Sequence, residues 1–329
     1  MAFGPEPWLE RSVQAVLAST GVDADVVVVD NGDTQGQVDA LDGLVGVTVV
    51  RPGSNVGFAR GCNLGVAAST APLVALVNPD ALVEPDALAE LAAVAARPEV
   101  GLATASVRLA DRPERLNSAG NDIHFLGVSW SGRFDEPAAD HPGQERVTAA
   151  SGAGMAARRQ VWDELGGLEE ELFAYYEDAD LSLRCWQRGW QVIYVPTAVV
   201  VHRYEFSRNE VKFRLLERNR LTMVLTEFGP RHLALVAPAL AVLEVGMIGY
   251  AAADGWLGAK LSAYGWLWSH RRWLRERRRR VQAERVVPEH ELTWLFADHL
   301  QPGNLPPPRA LVPLDRVLQA YWRLVRRLL

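Results

Sequence analysis

The run Asp25–Asp30, with the sequence DVVVVD, constrains the fold more than any other feature of the chain. Four consecutive β-branched residues between two aspartates are typical of a short strand that is buried on both faces, as in a parallel sheet covered by helices. Apolar residues recur at helical spacing over Trp8–Ser19, just before this run. The run therefore predicts an early strand of an α/β domain.

Strand and helix patterns go on alternating after this run. Such a rhythm predicts a Rossmann-like, mostly parallel sheet with right-handed connections and helices on its faces. Residues 111–147 are polar and irregular by contrast. The further expected strands are Val47–Arg51, Leu73–Asn78, Val100–Val107, Ala149–Ala157, Gln191–Val195 and Ala198–Val201, and the further expected helices are Phe58–Ala68, Pro85–Ala96, Arg159–Leu165 and Asp178–Arg188.

The charges divide the chain into two regions. Residues 1–200 carry 13 Lys and Arg against 28 Asp and Glu, whereas residues 201–329 carry 21 against 12. Helical patterns fill the basic part, over Val211–Glu227, Leu233–Ala253 and Val317–Leu329. We therefore expect an α/β domain at 1–208 and a helical, basic C-terminal region at 209–329.

The C-terminal region has features of a membrane-associating segment. Leu233–Ala253 is long enough to span a bilayer, but its acid, proline and glycines fit an interfacial or re-entrant helix equally well. Trp266, Trp268 and Trp273 precede the arginine cluster Arg275–Arg280, a combination that suits lipid headgroups. The alternative is a solvated helix face. Nucleic acid is not an expected partner, because these arginines alternate with Trp and Leu instead of lining a polar groove.

Two observations bear on location. Met1–Glu10 lacks the basic start and apolar run of a secretory signal. Cys62 and Cys185 provide neither a disulfide framework nor a metal-ligand spacing, which fits a reducing compartment and two core cysteines. We expect the protein at the cytoplasmic face of the cell membrane.

Polar residues follow each of the first three strands. Since ligands bind at the carboxyl edge of an open parallel sheet, these residues together predict a nucleotide site. An aspartate there can accept from a base, a glycine lets backbone approach closely, and an arginine near a helix start can meet a phosphate. The residues are Asp30 and Asn31, then Asn55, Gly57 and Arg60, then Asn78 and Asp80.

Acidic residues and one histidine complete the candidate chemistry. Asp80 is a plausible ligand for Mg²⁺ or Mn²⁺, with a helix N-cap or a turn as the alternative. Glu177–Asp180 holds three acids at a helix start, more than capping requires, so one of them is a candidate general base. Asp180 is expected to pair with Arg184 four residues on. His202, at a strand end, is a possible ligand.

Four stretches taken together resemble glycosyltransferase family 2. They are VVVVDNGD, NVGFARGCNLG, LVNPDALVEPDAL and SGAGMAARRQVWDELGGLEEELFAYYEDADLSLRCWQRGWQVIYVPTAVVVH. The likeness covers about residues 8–205 and is greatest to the bacterial rhamnosyltransferase-type branch, which builds cell-envelope polysaccharides. It implies a GT-A fold, transfer with inversion, a dTDP- or UDP-linked sugar donor, and a lipid-linked or polysaccharide acceptor.

The resemblance also implies a role for each candidate residue. Asp178 would be the catalytic base, and Asp80 and His202 would hold Mg²⁺ or Mn²⁺. Gly152 and Ala153 would shape the pocket for the sugar and acceptor. The nucleotide and diphosphate would be bound by Asp30, Asn31, Asn55, Gly57, Arg60 and Asn63.

The chain departs from the family pattern twice. Asn78 stands where the family has the first acid of its metal-binding motif. The apolar strand that opens the family's domain is expected to be missing, because Met1–Pro7 leads almost directly into the first helix. An alternative function is therefore a non-catalytic, membrane-associated protein that binds nucleotide sugars. A nucleotidyltransferase is disfavoured, since no glycine-rich, basic loop follows the first strand.

Overall fold

The valine run forms strand β1, which pairs in parallel with β2 over four residues. The computed structural model describes residues 1–33, 35–203, 209–300 and 312–329, with side chains in the last range described from Asp315 onward. Its strands are β1 Val26–Val29, β2 Val47–Val50, β3 Leu73–Val77, β4 Ala81–Val83, β5 Val100–Leu109, β6 Arg112–Ser118, β7 Asn121–His124, β8 Ser129–Ser131, β9 Glu145–Arg146, β10 Gly154–Arg158, β11 Gln191–His202 and β12 Phe296–Ala297. Its helices are α1 Leu9–Leu17, α2 Phe58–Ala67, α3 Ala87–Ala95, α4 Arg159–Leu165, α5 Glu177–Gln187, α6 Glu210–Glu227, α7 Pro230–Ala253, α8 Leu257–Ser269, α9 Arg271–Ala283 and α10 Val312–Leu328.

Two units divide the described chain, and neither is continuous in sequence. The first unit comprises Met1–Asn121, Ser131–Cys185 and residues 190–203. The second comprises Asp122–Trp130, Trp186–Gly189 and the described residues from 209 onward. The short excursion at Asp122–Trp130 lies in the segment that the sequence marks only as irregular.

The larger sheet of the first unit is mixed rather than mostly parallel. Its order is β3-β10-β5-β11-β4, with β6 on β5 and β9 on β11, and among these pairs only β5 with β11 is parallel. The physical reason lies partly in the short connections, because a parallel pair needs a crossover of a dozen or more residues. β6 follows β5 after two residues and pairs antiparallel with it, whereas β4 is antiparallel to β11, which lies far away in the sequence. The α/β class itself is confirmed.

Helix α3 packs on this sheet and buries its core. Leu91, Val94 and Ala95 of α3 lie in one apolar cluster with residues of β5 and β11, including Val107 and Val200. Each of these five residues is almost wholly removed from water. This core holds β5 and β11 rigidly, and the candidate site lies beyond their ends.

The N-terminal residues run beside β1 without forming a strand. Ala2 makes one parallel bridge to Asp30; its N–H donates to the oxygen of Val29 at 2.8 Å, and its own oxygen accepts from Asn31 at 2.8 Å. Within the described residues no strand precedes α1. Among the described residues, the N-terminal segment therefore pairs with the end of β1 through this single bridge.

Aromatic packing and buried ion pairs stabilise the second unit. Phe125 stacks on Trp322 with ring centroids 4.9 Å apart, in a cluster with Val224, Phe228 and Val236.

Among the described residues, α7 is the one helix that is long and apolar enough to cross a membrane, and only 11% of its most apolar window is buried. This helix covers the expected segment Leu233–Ala253.

Candidate active site

Asn31 holds the loop after β2 from a buried position. Its Nδ2 donates to Oδ1 of Asn55 at 3.0 Å and to the oxygen of Gly57 at 3.3 Å, and its Oδ1 accepts from the N–H of Val56 at 2.7 Å. Asn31 is only 1% exposed. Its side chain therefore positions the loop, while the exposed Asn55 is the member of the pair that a ligand can reach.

Asp30 shapes the turn that follows β1. Its Oδ1 accepts from the N–H groups of Gly32 and Asp33, at 3.2 and 2.9 Å. Such a turn is typical of an aspartate that leaves a strand. The carboxylate of Asp30 is partly accessible, which leaves room for the predicted contact with a nucleotide base. That contact stays a prediction.

Gly57 lets the loop approach the segment before α5. It has φ +86°, and a Cβ built at this position would lie 2.6 Å from a ring carbon of Phe173 and 2.7 Å from its backbone oxygen. The same oxygen accepts from the N–H of Ala59 at 3.1 Å. Glycine is required here both for the left-handed backbone and for the close packing.

The backbone before α5 is strained. Phe173, Tyr175 and Tyr176 all have positive φ, at 64°, 68° and 71°, which bulky residues rarely adopt. Phe173 has ψ −63°, and the N–H of Ala174 donates to the oxygen of Leu172 at 2.7 Å, which together describe a rare, strained γ-turn. Strain of this kind persists where the surroundings fix it, and it is concentrated at functional sites.

Asp178 lies in the first turn of α5 and is held by three donors. Its Oδ2 accepts from the N–H of Gly152 at 3.0 Å and from Nδ2 of Asn121 at 3.1 Å. Its Oδ1 accepts from the N–H of Ala179 at 2.7 Å. The carboxylate is thereby fixed in one orientation at a helix N-terminus, where the helix dipole favours a negative charge.

Two acids at the start of α5 have raised pKa values. Burial raises the pKa of Asp178, against the hydrogen bonds from Gly152 and Ala179 that favour its charged form. Burial and the adjacent charge of Asp178 raise the pKa of Glu177 to about 8. A carboxylate whose pKa is raised is a better proton acceptor, so this pair is suited to general-base chemistry.

Asp180 has a structural role, as its spacing predicts. It is fully buried, and its Oδ2 accepts from Nε of Arg184 at 2.9 Å. Arg184 continues to the backbone oxygens of Leu165 and Gly167. The expected pairing of Asp180 with Arg184 is therefore confirmed, and the pair anchors α5 to the end of α4.

Asp80 and His202 lie side by side because β4 pairs with the end of β11. His202 is registered with Ala81, and its Nε2 is 3.2 Å from Oδ1 of Asp80. Its Nδ1 is 2.8 Å from Oδ1 of the buried Asn117. The N-cap of α3 is Asp86, so the alternative of Asp80 as a helix cap is excluded.

This pair fits a divalent cation. When Nδ1 of His202 carries the proton and donates to Asn117, the lone pair of Nε2 faces a carboxylate oxygen of Asp80, and two such electron pairs are favourable only with a cation or proton between them. Among the described residues no group of three or more His, Cys, Asp or Glu is placed to hold a metal. Magnesium-type sites use one or two protein ligands and complete their coordination with phosphate oxygens and water.

Arg60 and Asn63 point from α2 toward the segment after α4. Nδ2 of Asn63 donates to the oxygen of Leu168 at 2.8 Å, and its Oδ1 accepts from the N–H of Leu168 at 3.0 Å. Arg60 is exposed, with Nε 3.7 Å from a carboxylate oxygen of Glu170. The structure gives Asn63 a tethering role and leaves Arg60 available to an anion.

The Gly152 segment links the other parts of the site. The oxygen of Ala153 accepts from the N–H of Asn78 at 3.3 Å, and the N–H of Gly152 donates to Asp178. The turn that carries Asp80 and the helix that carries Asp178 are thus joined through two adjacent residues. The predicted metal ligand Asp80 and the predicted base Asp178 are therefore connected through Gly152 and Ala153, and the binding roles of the predicted residues stay predictions.

Two residues of the site, Asn121 and Asn117, are absent from the sequence predictions, and a third, Glu177, is named there only as one of three acids in a cluster. Asn121 orients Asp178, Asn117 orients His202, and the buried Glu177 has an Oε2 with no hydrogen-bond partner among the described residues. Glu177 was detectable as a member of the acidic cluster. The two asparagines lie in the polar stretch 111–147, where no periodic pattern signals their positions.

A family model matches most of the chain. The model described as "Glycosyltransferase like family 2" matches residues 1–223. An "N-acetylglucosaminyl-diphospho-decaprenol L-rhamnosyltransferase" of Mycobacterium tuberculosis is 27% identical over 234 residues, which are 63% of this chain and 75% of that protein. An "Uncharacterized protein y4gI" of Sinorhizobium fredii is 31% identical over 217 residues, and the match spans 61% of this chain but 23% of that protein.

Solved structures agree on the fold. GalNAc-T7, crystallised with UDP, GalNAc and Mn²⁺, superposes with a TM-score of 0.55 at 17% identity, covering 67% of this chain and 45% of that one. The mannosyltransferase PcManGT of Pyrobaculum calidifontis, in complex with GDP-Man and Mn²⁺, gives 0.50 at 17% identity, covering 99% and 84%. S. aureus TarS gives 0.51 at 14% identity, covering 99% and 55%. The expected GT-A architecture is confirmed.

Proposed function

The chain belongs to glycosyltransferase-like family 2 and is a glycosyltransferase, and from that premise we propose that it transfers a sugar with inversion from a nucleoside-diphosphate donor to a lipid-linked saccharide. Rhamnose on dTDP, or a UDP-linked sugar, is the proposed donor. The named substrate of the M. tuberculosis relative supports both the sugar and the lipid-linked acceptor. The product would be a glycan of the cell envelope.

The fixed carboxylate of Asp178 is the observation that carries this proposal. Donors from Gly152, Asn121 and Ala179 leave it one orientation, and burial raises its pKa. Asp178 takes the proton of an acceptor hydroxyl as that oxygen bonds to the anomeric carbon. The bond from the anomeric carbon to the diphosphate oxygen breaks on the opposite face, and the nucleoside diphosphate leaves with that electron pair. One base suffices, because inversion needs no covalent intermediate.

Asp80 and His202 are the proposed ligands of Mg²⁺ or Mn²⁺. Their facing oxygen and nitrogen, 3.2 Å apart, form a suitable donor pair. A divalent cation bound there supplies positive charge that stabilises the leaving diphosphate. Asn117 keeps the imidazole oriented for this task through its contact with Nδ1.

The loops after β1 and β2 are the proposed nucleotide pocket. The accessible carboxylate of Asp30 would accept from the base, and Asn55 and Gly57 would bound the ribose and diphosphate. Arg60 is exposed on the first turn of α2, where a cation and the helix N-terminus both favour a phosphate. Gly152 and Ala153 would border the sugar and the acceptor.

A face of α7 is the proposed membrane contact. From Ala234 onward its exposed residues are small or apolar, whereas Glu244 accepts from Arg220, Lys260 and Tyr264. A helix tied sideways to charged partners is suited to lie in the interface rather than to cross the bilayer. The exposed residues of this face are Ala234, Ala237, Ala241, Val242, Val245, Gly246, Gly249 and Tyr250.

Exposed apolar and basic side chains on α8 and α9 also suit a membrane surface. Leu261 and Trp268 of α8 are 53% and 72% exposed, and Arg271, Arg275 and Arg279 of α9 are exposed. Apolar side chains beside arginines match the boundary between acyl chains and anionic headgroups. These side chains support the proposal that the protein lies at the cytoplasmic face of the membrane, with the lipid-linked acceptor in the same plane.

A transfer assay tests the proposal. The protein is incubated with Mn²⁺, dTDP-rhamnose or a UDP-sugar, and a polyprenyl-diphosphate saccharide, and the product is identified by mass spectrometry with its anomeric configuration by NMR. Asp178→Asn should lower the rate by a factor of about 10³ or more while the circular dichroism spectrum is kept. Full activity of that variant would remove Asp178 as the base, and metal-dependent donor binding without any transfer would favour a binding protein instead.

A further inference from the structure

The two carboxylate oxygens of Asp178 differ in how fully they are hydrogen-bonded. Oδ2 accepts from the N–H of Gly152 at 3.0 Å and from Nδ2 of Asn121 at 3.1 Å. Among the described residues, Oδ1 accepts from one N–H outside its own residue, that of Ala179 at 2.7 Å. Since each oxygen of an ionised carboxylate offers about two acceptor positions, Oδ2 is filled, whereas Oδ1 keeps a position open.

Asn121 is held on Oδ2 of Asp178 by its other contacts. Its Nδ2 also donates to the oxygen of Ala150 at 3.3 Å, and its own Oδ1 lies 3.2 Å from Oγ of Ser118. Its backbone exchanges hydrogen bonds with Ala149, at 2.7 and 3.1 Å. Rotation of the Asn121 amide away from Asp178 would therefore break contacts at both ends of that amide.

The N–H of Gly152 is fixed on Oδ2 of Asp178 by a tight turn. The oxygen of Ser151 accepts from the N–H of Gly154 at 3.1 Å, which places Gly152 inside a β-turn. The N–H of Ser151 donates to Oγ1 of the buried Thr104 at 3.0 Å. Because the backbone is tied on both sides of Gly152, its N–H cannot turn away from Oδ2 to make room for a substrate.

The ring of Phe58 lies beside the filled oxygen. A Cβ built on Gly152 would lie 3.6 Å from Cζ of Phe58 and 3.7 Å from Oδ2 of Asp178. The tip of the ring and Oδ2 therefore border the same small space, next to the buried Gly152. A phenyl ring has no N–H or O–H to donate, so it fills this place without making the carboxylate a weaker base.

The start of α2 holds Phe58 in this position. The N–H of Ala59 donates to the oxygen of Phe173 at 3.1 Å, and a Cβ built on Gly57 would lie 2.6 Å from a ring carbon of Phe173. Both neighbours of Phe58 are thus packed against the segment that leads into α5. The ring of Phe58 and the carboxylate of Asp178 are therefore positioned by the same segment.

We propose that Asp178 takes the acceptor proton through Oδ1 alone, and that Phe58 is a positioning residue that closes the side of Oδ2. This assignment rests on the proposed transfer reaction. The O–H bond of the acceptor breaks as an O–H bond forms at Oδ1, and the acceptor oxygen uses the freed electron pair to bond to the anomeric carbon. The nucleoside diphosphate leaves with the electron pair of its own bond to that carbon. The acceptor hydroxyl approaches from the side of Oδ1, near the N–H of Ala179.

Phe58→Tyr and Phe58→Leu separate an effect of polarity from an effect of packing. Tyrosine keeps the shape of the ring and adds a hydroxyl at Cζ, in the space that Oδ2 borders. A donor there stabilises the ionised carboxylate, so kcat should fall by about tenfold while the acceptor KM stays within about twofold of the parent's. Leucine changes the shape more but stays apolar, so Phe58→Leu should keep a higher kcat than Phe58→Tyr. A role in packing alone predicts the opposite order.

Carbon-13 NMR of labelled aspartate carboxyl groups checks the contact without any substrate. The signal of Asp178 is assigned as the one that is missing in Asp178→Asn. It should move in Phe58→Tyr, because a new donor faces the carboxylate. It should stay in place in Phe213→Tyr, the matched control, whose ring stacks on Trp256.

The outcomes separate the parts of the proposal. A parent-like kcat with an unmoved Asp178 signal in Phe58→Tyr would overturn the role of Phe58. A rise of the acceptor KM by about tenfold or more in that variant would show that the acceptor enters beside Oδ2, and would overturn the choice of Oδ1. If the parent protein transfers no sugar, the assignment of Oδ1 falls with the proposed function, whereas a moved Asp178 signal would still support the closure of Oδ2 by Phe58.

Discussion

Nε2 of His202 lies 3.2 Å from Oδ1 of Asp80, across the antiparallel pairing of β11 with β4. This pairing brings together two residues that are far apart in the sequence. Their nearest atoms are a carboxylate oxygen and a ring nitrogen, the two kinds of atom that the proposed cation would need as ligands.

Asp80→Asn should abolish the metal-dependent stabilisation of the protein by a nucleoside diphosphate. The amide is a weaker ligand than a carboxylate, so we expect affinity for Mn²⁺ with UDP or dTDP to fall at least tenfold, or about 1.4 kcal/mol. Thermal shift with and without Mn²⁺ measures this. Asp86→Asn, at an exposed acid before α3, is the matched control and should behave as the parent. A full Mn²⁺-dependent shift in Asp80→Asn would place the cation elsewhere.

Gly57→Ala should destabilise the first unit and weaken donor binding. The new Cβ would meet Phe173 at 2.6 Å, in a backbone with φ +86°. Gly53→Ala is the control, because Gly53 has φ +81° and nothing within 4 Å of its built Cβ. We expect about 1 kcal/mol loss in the control from backbone strain alone and a further loss of about 1–3 kcal/mol in Gly57→Ala. Urea unfolding measures both losses. Equal losses of unfolding free energy in the two variants would show that Phe173 moves aside without destabilising the protein.

Stability should fall as the pH rises toward 8, because Glu177 keeps its proton in the folded state up to about that value. Between the ordinary pKa of a glutamate and 8, the unfolded chain has released this proton and the folded chain has not. The free energy of unfolding therefore declines with pH, by at most about 1.4 kcal/mol per unit from this group. The raised pKa of Asp178 acts in the same direction.

Glu177→Gln is the variant that isolates this effect. The amide cannot ionise, so the slope of unfolding free energy against pH should become flatter between pH 5 and 8. Urea titrations at several pH values measure the slope. An unchanged slope would mean that Glu177 is ionised in the folded protein and that the buried proton lies elsewhere.

Lys260→Met should unfold the second unit more easily. Lys260 is fully buried and donates to Glu217 and to Glu244, so its removal leaves two acids with one fewer cation. Breaking a buried pair from one side costs roughly 3–5 kcal/mol. The double variant Lys260→Met with Glu244→Gln removes one charge of each sign and should lose less. A double variant with a lower free energy of unfolding than Lys260→Met alone would contradict this account of the ion pairs around Lys260.

Val245→Asp should release the protein from lipid. Val245 is 72% exposed on the outward face of α7, where a charge would oppose insertion. We expect binding to vesicles with anionic headgroups to fall at least tenfold in sedimentation, about 1.4 kcal/mol or more. Val286→Asp is matched in residue type and exposure, at 74%, but lies outside that face. An equal loss of vesicle binding in both variants would attribute the loss to the added charge alone and would contradict the proposed membrane contact through α7.

The sequence predicted the elements whose patterns are local. DVVVVD gave β1, and the four-residue spacing of Asp180 and Arg184 gave a buried pair. β4 was not predicted, because a three-residue strand is too short to show alternation and owes its existence to β11. The antiparallel pairing of β10 with β3 and β5 was not predicted either, because strand pairing depends on residues that are far apart in the sequence.

The sequence predicted those site residues that belong to acidic or glycine-containing motifs. It did not predict the residues that reach the site from distant positions in the chain. Asp178 belongs to a dense acidic run, so a role for it could be inferred from the chain alone. Asn121 reaches that carboxylate from 57 residues away, and Asn117 reaches His202 from 85 residues away. An asparagine in an irregular stretch has no signature of its own, and only the folded backbone shows what it orients.

Asn31 holds the loop of Asn55 and Gly57 with three hydrogen bonds made from inside the protein. A loop that is ordered in the free protein loses little conformational entropy when a ligand arrives. In the proposed nucleotide pocket, nucleotide preference would then depend on a loop shape that exists before the ligand binds. Exchange of exposed loop residues around a retained Asn31 is a rational route to altered donor specificity, since the anchor and the selecting surface are different side chains.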